Sequence, residues 1–121
     1  MTTEQTRDVV KTYFRAWTTK DFEGATRQLA EQLSVEVPIN TYPDRAAFAQ
    51  ALAGFGAMTQ KVSLLGEFVD GADAMLLYDM DVASLGTLRI AEHFHVENGR
   101  ITQLRQVHDT HALRLAGFVK S

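Results

Sequence analysis

Four side chains of this 121-residue sequence have the type and setting for chemistry: Tyr13, Glu92, Gln106 and His108. Tyr13 lies on a helical stripe with Val9, Val10 and Trp17. Its hydroxyl serves either a backbone carbonyl in a core or an oxyanion developing on a ligand. Glu92 falls among Ile90, Phe94 and Val96, on the face of a strand that an apolar core would claim. A carboxylate there needs a partner or must keep its proton. One reading makes it a structural mate for Arg89 or Arg105, and the other turns it toward a ligand. His108 follows Leu104 and Gln106 along the last strand. An imidazole titrating near neutrality can give and take protons, although a strand-end histidine beside Asp109 is as often simply half exposed.

Other groups offer less. His93-x-His95 places two imidazoles on one strand face, but a tight metal site needs a third ligand and His108 would face the other way; no metal or other cofactor is expected. Asp79-x-Asp81 reads as solvated surface. No glycine-rich phosphate loop and no nucleophile elbow is present, so nucleotide and hydrolase-triad chemistry lack support. With no cysteine, thiolate catalysis and disulfides drop out together.

The element that must position Glu92 is a hairpin over residues 88–109, turning at Asn98-Gly99, two residues that tolerate positive φ. Two registers fit. A two-residue turn pairs Val96 with Ile101 and sets Glu92 opposite Arg105. A three-residue loop with Gly99 in a bulge pairs Val96 with Arg100, Phe94 with Thr102 and Glu92 with Leu104. The second is preferred. It gathers Ile90, Phe94, Val96, Leu104 and Gln106 on an inner face and leaves Ala91, His93, His95, Gln103 and Arg105 outside, at the expense of an outward Ile101.

Upstream, Val9, Val10, Tyr13, Phe14 and Trp17 predict a helix over residues 3–19, capped by Thr2 or Thr3. Asp21 caps a second helix with Phe22, Ala25, Leu29 and Leu33 along its inner side, and Gly24 offers close approach to the first helix. An extended run covers Val35 to Ile39. Pro43 opens a third helix, which buries Ala47, Phe48, Ala51, Leu52 and Phe55 and ends at Gly54 and Gly56. Strands follow over residues 62–69 and 74–82, the latter with Leu76, Tyr78, Met80 and Val82 on one face. A tail carries Leu113, Leu115 and Phe118 as a short helix or arm. Three helices followed by a strand meander predict an α+β layout. The length suits one domain over residues 1–121. The net charge of −3 and the lack of a basic patch argue against nucleic acid. The polar start and the lack of a spanning apolar run argue against a membrane and favour the cytoplasm.

The order of elements, with WTTKDFEGATRQLA between the first helices and FHVENGRITQLRQ in the last hairpin, resembles the NTF2-like superfamily, in particular its SnoaL-like and ketosteroid isomerase-like members. The resemblance implies three helices on a strongly curved mixed or antiparallel sheet, a cone that encloses a cavity for a small, mostly apolar ligand. It also implies a homodimer through the outer sheet face. The isomerase's oxyanion tyrosine matches Tyr13 and its buried acid matches Glu92. In that enzyme the acid stays neutral at pH 7, so that it can donate a hydrogen bond. Its general base falls at Val37, before Pro38, and cannot act; Glu36 faces the other way. The last-strand acid of cyclase-like and epoxide hydrolase-like members falls at Gln106. The sequence thus supports an isomerase or cyclase acting on an enolisable carbonyl, with Tyr13, Glu92 and His108 catalytic and Trp17, Val37, Phe55, Phe94, Leu104 and Gln106 binding the ligand. The alternative is a non-catalytic binding or protein-interaction domain.

Overall fold

The computed structural model describes residues 2–118. Helices α1 (Thr3–Thr18) and α2 (Phe22–Arg27) precede strand β1 (Leu29–Glu36) and helix α3 (Arg45–Ala57). Strands β2 (Thr59–Asp70), β3 (Asp73–Val82), β4 (Gly86–Glu97) and β5 (Arg100–Val107) follow, then a short α4 (His111–Leu115). The five strands form one sheet in the order β1-β5-β4-β3-β2. β1 runs parallel to β5 and every other pair is antiparallel. The layout is α+β with a curved mixed sheet, as expected, with the tail adding a fourth helix. Bulges in β2, after Thr59 and after Leu64, bend that strand. No helix among the described residues is long and apolar enough to cross a membrane.

Local chemistry accounts for most boundaries. Thr2 caps α1 in a reciprocal box with Gln5. The stripe Val10, Tyr13, Ala16 and Trp17 is buried against the sheet. Asp21 caps α2 through the Gly24 N–H, and the close approach at Gly24 is to that cap rather than to α1. The second helix stops at Arg27, well short of Leu33. Leu29 and Leu33 are both buried, but in β1. A spacing of four puts two residues on one face of a helix and equally on one face of a strand, so the pattern alone does not choose. Pairing with β5 chooses: the Ile101 N–H donates to the Gln28 carbonyl at 2.7 Å.

Asp44, not Pro43, caps α3, so the proline lies just outside the helix. The helix also passes through Gly54 and Gly56 to Ala57. Gly56 is buried, and a Cβ there would meet the Phe22 ring at 2.5 Å, so this glycine allows α3 to lie on α2.

The hairpin takes neither expected register whole. Asn98 (φ 50°) and Gly99 (φ 77°) form a two-residue turn with both residues left-handed. Val96 therefore pairs with Ile101, correcting the preferred Val96–Arg100 pairing. The extra residue comes later, at Thr102, where the ladder slips between Val96–Ile101 and His95–Gln103. That bulge lets Ile101 and Leu104, three apart, both face inward, and Ile101 is fully buried rather than outward. Phe94 then pairs with Leu104 and Glu92 with Gln106, instead of with Thr102 and Leu104.

Candidate functional site

On the inner face the hairpin sets Glu92 beside Gln106, and β3 adds Tyr78. The Tyr78 hydroxyl donates to Glu92 Oε1 at 2.9 Å, and Gln106 Nε2 donates to Oε2 at 2.7 Å. Glu92 is 1% exposed. Neither candidate arginine reaches it. Arg89 forks onto Asp79 at 2.7 and 2.9 Å on the opposite face, and Arg105 lies 3.8 Å from Glu36. Burial without a cation pushes the Glu92 carboxyl up to about 7, against the opposing pull of the hydrogen bonds from Gln106 and Tyr78. The acid is thus poised between a proton donor and a carboxylate at neutral pH.

Tyr13 comes from α1 to the same place. It is buried, it meets the Phe94 ring edge-on at 5.7 Å, and its hydroxyl has no hydrogen-bond partner among the described residues. Burial, and then the nearby Glu92 charge, hold its phenol well above the usual range, so it remains a donor. Tyr78 is shifted the same way, again by burial first.

These groups line a cavity of about 430 Å³. Its walls come from α1, the loop after β1, α3, the central strands and the C-terminal segment. Aromatic and aliphatic side chains dominate: Trp17, Ile39, Tyr42, Phe48, Leu52, Phe55, Met80, Leu88 and Ile90. Among the described lining residues Glu92 is the only acid, and none is lysine or arginine. Size and lining suit a small, mostly apolar molecule held by a few polar groups.

Seven of the nine residues singled out from sequence meet here: Tyr13, Glu92, His108, Trp17, Val37, Phe55 and Gln106. Phe94 and Leu104 do not line the space. They form the next pair down the β4–β5 ladder, fully buried beneath Glu92 and Gln106. Alternation along a strand tells which side a residue faces but not whether void or protein lies over it. Tyr78 is the site residue that the sequence reading passes over. A tyrosine in an otherwise aliphatic inner row (Leu76, Met80, Val82) carries a hydroxyl that must be satisfied, and that signal is present in the sequence.

His108 lies just past the last paired residue of β5, at the cavity wall. Its Nδ1 is 3.0 Å from the Asp109 carbonyl. A carbonyl only accepts, so Nδ1 carries the proton in the neutral ring and Nε2 keeps its lone pair. On the outer face His93 Nε2 and His95 Nδ1 converge on Asp73 Oδ1 at 3.0 and 2.9 Å. The histidine bonds hold the Asp73 carboxyl below its usual range, and the Asp73 bond raises His95. Among the described residues no cluster of three or more such groups is arranged to hold a metal ion.

The chain matches the model of the SnoaL-like domain over residues 10–104. A comparison with curated protein sequences finds no match. Among solved structures, a protein from Kribbella flavida DSM 17836 is 32% identical, with 90% of each chain covered and a TM-score of 0.84. An NTF2-like protein of unknown function from Cytophaga hutchinsonii is 25% identical over 90% of this chain and 94% of its own, with a TM-score of 0.81. An LEH-like epoxide hydrolase of M. tuberculosis shares the fold at 20% identity, covering 96% of this chain and 93% of its own, with a TM-score of 0.75. The family match spans most of the sequence, and the mixed sheet and the helices agree with it: the chain belongs to the SnoaL-like family of the NTF2-like superfamily.

Proposed function

We propose that the cavity binds a small, mostly apolar carbonyl compound and moves a proton on it, as an isomerase or cyclase would. One observation carries this reading: among the described residues, a buried acid without a cationic partner stands near a tyrosine hydroxyl without a hydrogen-bond partner, inside an apolar cavity. In the proposed step His108 Nε2 takes a proton from the carbon next to the carbonyl. The C–H electron pair becomes the enolate C=C bond, and negative charge moves onto oxygen. Tyr13 and protonated Glu92 donate hydrogen bonds to that oxygen. The proton returns from His108 to another carbon of the same molecule. Tyr78 and Gln106 hold the Glu92 carboxyl in place.

The test compares two substitutions across a panel of enolisable ketones. Glu92→Gln keeps a donor of the same shape and retains much of the turnover, whereas Glu92→Ala loses most of it. Equal loss in both would refute the donor role. A second reading, binding without chemistry, is favoured by Val37: the wall position at which the resemblance puts a general base holds an aliphatic side chain. It predicts saturable binding and no turnover on any of the panel.

We also infer a homodimer through the outer sheet face. Leu65, Phe68, Met75, Leu77 and Val107 are exposed there, Phe68 and Val107 at 71% each. An apolar sheet surface of this kind is more than scattered surface hydrophobics.

A further inference from the structure

The cavity has two ends of different chemistry. Along the β4–β5 ladder the Phe94–Leu104 pair is solid core, the Glu92–Gln106 pair carries the polar groups, and His108 comes next as the strand ends. Beyond that point the chain folds back over the space. Leu113 of α4 is 1% exposed and lines the cavity, and Phe118 lines it too.

Three observations fix this return. The Phe118 N–H donates to the Leu113 carbonyl at 3.1 Å after the chain turns at Gly117, whose φ is +82°. Asn40 Nδ2 donates to the Phe118 carbonyl at 3.0 Å, which ties the segment to the loop after β1. The Phe118 ring meets Phe55 of α3 edge-on, with centroids 5.9 Å apart. The wall opposite the acid is therefore apolar and is built by a segment outside the sheet. Among the described residues, the Asn40 hydrogen bond, the Phe55 ring contact and the burial of Leu113 hold it.

We propose that Phe118 and Leu113 set the length of ligand that the cavity accepts, and that the ligand is an uncharged molecule with one oxygen at its head and an apolar tail. This rests on the reading of the cavity as a ligand site and adds an orientation. The head lies at Tyr13 and Glu92, and the tail runs toward Phe55 and Phe118. An anionic head is rejected, because no lysine or arginine among the described residues lines the cavity to offset its lost hydration and Glu92 stands beside it.

The test is calorimetric titration of 4-methylphenol, 4-butylphenol, 4-octylphenol and benzoate into the wild type, Tyr13→Phe, Phe118→Ala and the milder Phe118→Leu. Expected affinity in the wild type rises with tail length and then falls at the longest tail, and benzoate does not bind. Phe118→Ala moves the fall to longer tails and improves 4-octylphenol about tenfold, the worth of roughly two further buried methylenes. It leaves 4-methylphenol unchanged. Phe118→Leu moves the fall in the same direction by less. Tyr13→Phe instead weakens every phenol by a similar factor, because it acts at the head. If both Phe118 variants shift all three phenols in parallel, the length proposal is overturned while the cavity reading stands. If no phenol binds the wild type, both are overturned. Binding of benzoate as tight as that of 4-methylphenol overturns the uncharged head.

Discussion

Replacing Glu92 by glutamine should make the protein more stable at alkaline pH and leave it nearly unchanged in acid. The side chain is fully buried and its carboxyl sits at about 7, against an ordinary value of 4.5. Between those two values the unfolded chain has released a proton that the folded chain still holds. Fewer protons are bound in the unfolded state, so stability falls as pH rises through that window and levels off above about 7. The loss amounts to roughly 3 kcal/mol for two and a half pK units. Glutamine has no such titration. It can keep the local bonds: its oxygen accepts from Tyr78, and its amide donates to Gln106 once that amide turns over. The measurement is urea unfolding followed by Trp17 fluorescence at several values between pH 4.5 and pH 8.5. The difference in stability between the mutant and the wild type should grow by about 3 kcal/mol across the range in favour of the mutant. All other titrating groups, Asp73 and His95 included, are shared by the two proteins and cancel in the difference. A difference that stays flat with pH would refute the raised acid and, with it, the neutral-donor role in the proposed step.

Tyr13→Phe should weaken phenol binding by about 1–3 kcal/mol, the worth of a buried hydrogen bond to a ligand, with little effect on the melting temperature because the hydroxyl has no hydrogen-bond partner among the described residues. Loss of stability without loss of affinity would make it a core tyrosine. Asp73→Asn should lower the His95 pKa in an NMR titration. The Asp73 contribution is present above the ordinary carboxylate range, and that of His95 is lost as pH rises through its raised folded value. The stability difference should therefore be largest between about pH 4 and 6.5, and below about 1 kcal/mol because the pair is largely exposed. Phe68→Glu should turn a dimer into a monomer in sedimentation equilibrium at micromolar concentration; a dimer that persists would move the interface elsewhere.

Much of the fold is legible in the sequence because its signals are periodic or chemical. The stripe Val10, Tyr13 and Trp17 dictates a helix, Asp21 a cap, and Asn98-Gly99 a left-handed turn, and each lies where expected. Leu29 and Leu33 mislead because their spacing suits a helix and a strand alike, and what separates the two is a parallel partner 72 residues away. The end of α3 misleads for a related reason. Glycine lowers helix propensity but does not forbid a helix, and Gly56 is retained where the Phe22 ring leaves no room for a Cβ. Local preference is overruled in both cases by packing that a single segment does not contain.

The candidate site turns on one residue. Had the extra residue of the hairpin stood at Gly99, Glu92 would face Leu104. Had the ladder run straight from the two-residue turn, it would face Arg105, and an ion pair would hold the acid charged. The bulge at Thr102 gives it Gln106 instead. An amide carries no charge to neutralise the acid; here its Nε2 donates to Glu92, so the carboxyl remains a buried acid that titrates at about 7. The inner face and its polar members follow from alternation, but the pairing across the face follows from where one strand takes its extra residue. The bulge is favoured because it buries Ile101 and Leu104 together, and those two side chains contribute about 1.5–3 kcal/mol each on burial. The same apolar requirement that closes the core therefore sets the ionisation of the acid above it. A substitution that makes outward exposure of Leu104 harmless, such as Leu104→Thr, should lower the Glu92 pKa if the ladder then straightens, turns residue 104 outward and brings Arg105 opposite. A side-chain carboxyl titration that still ends near 7 in that variant would show that the bulge does not depend on burying a large side chain at residue 104.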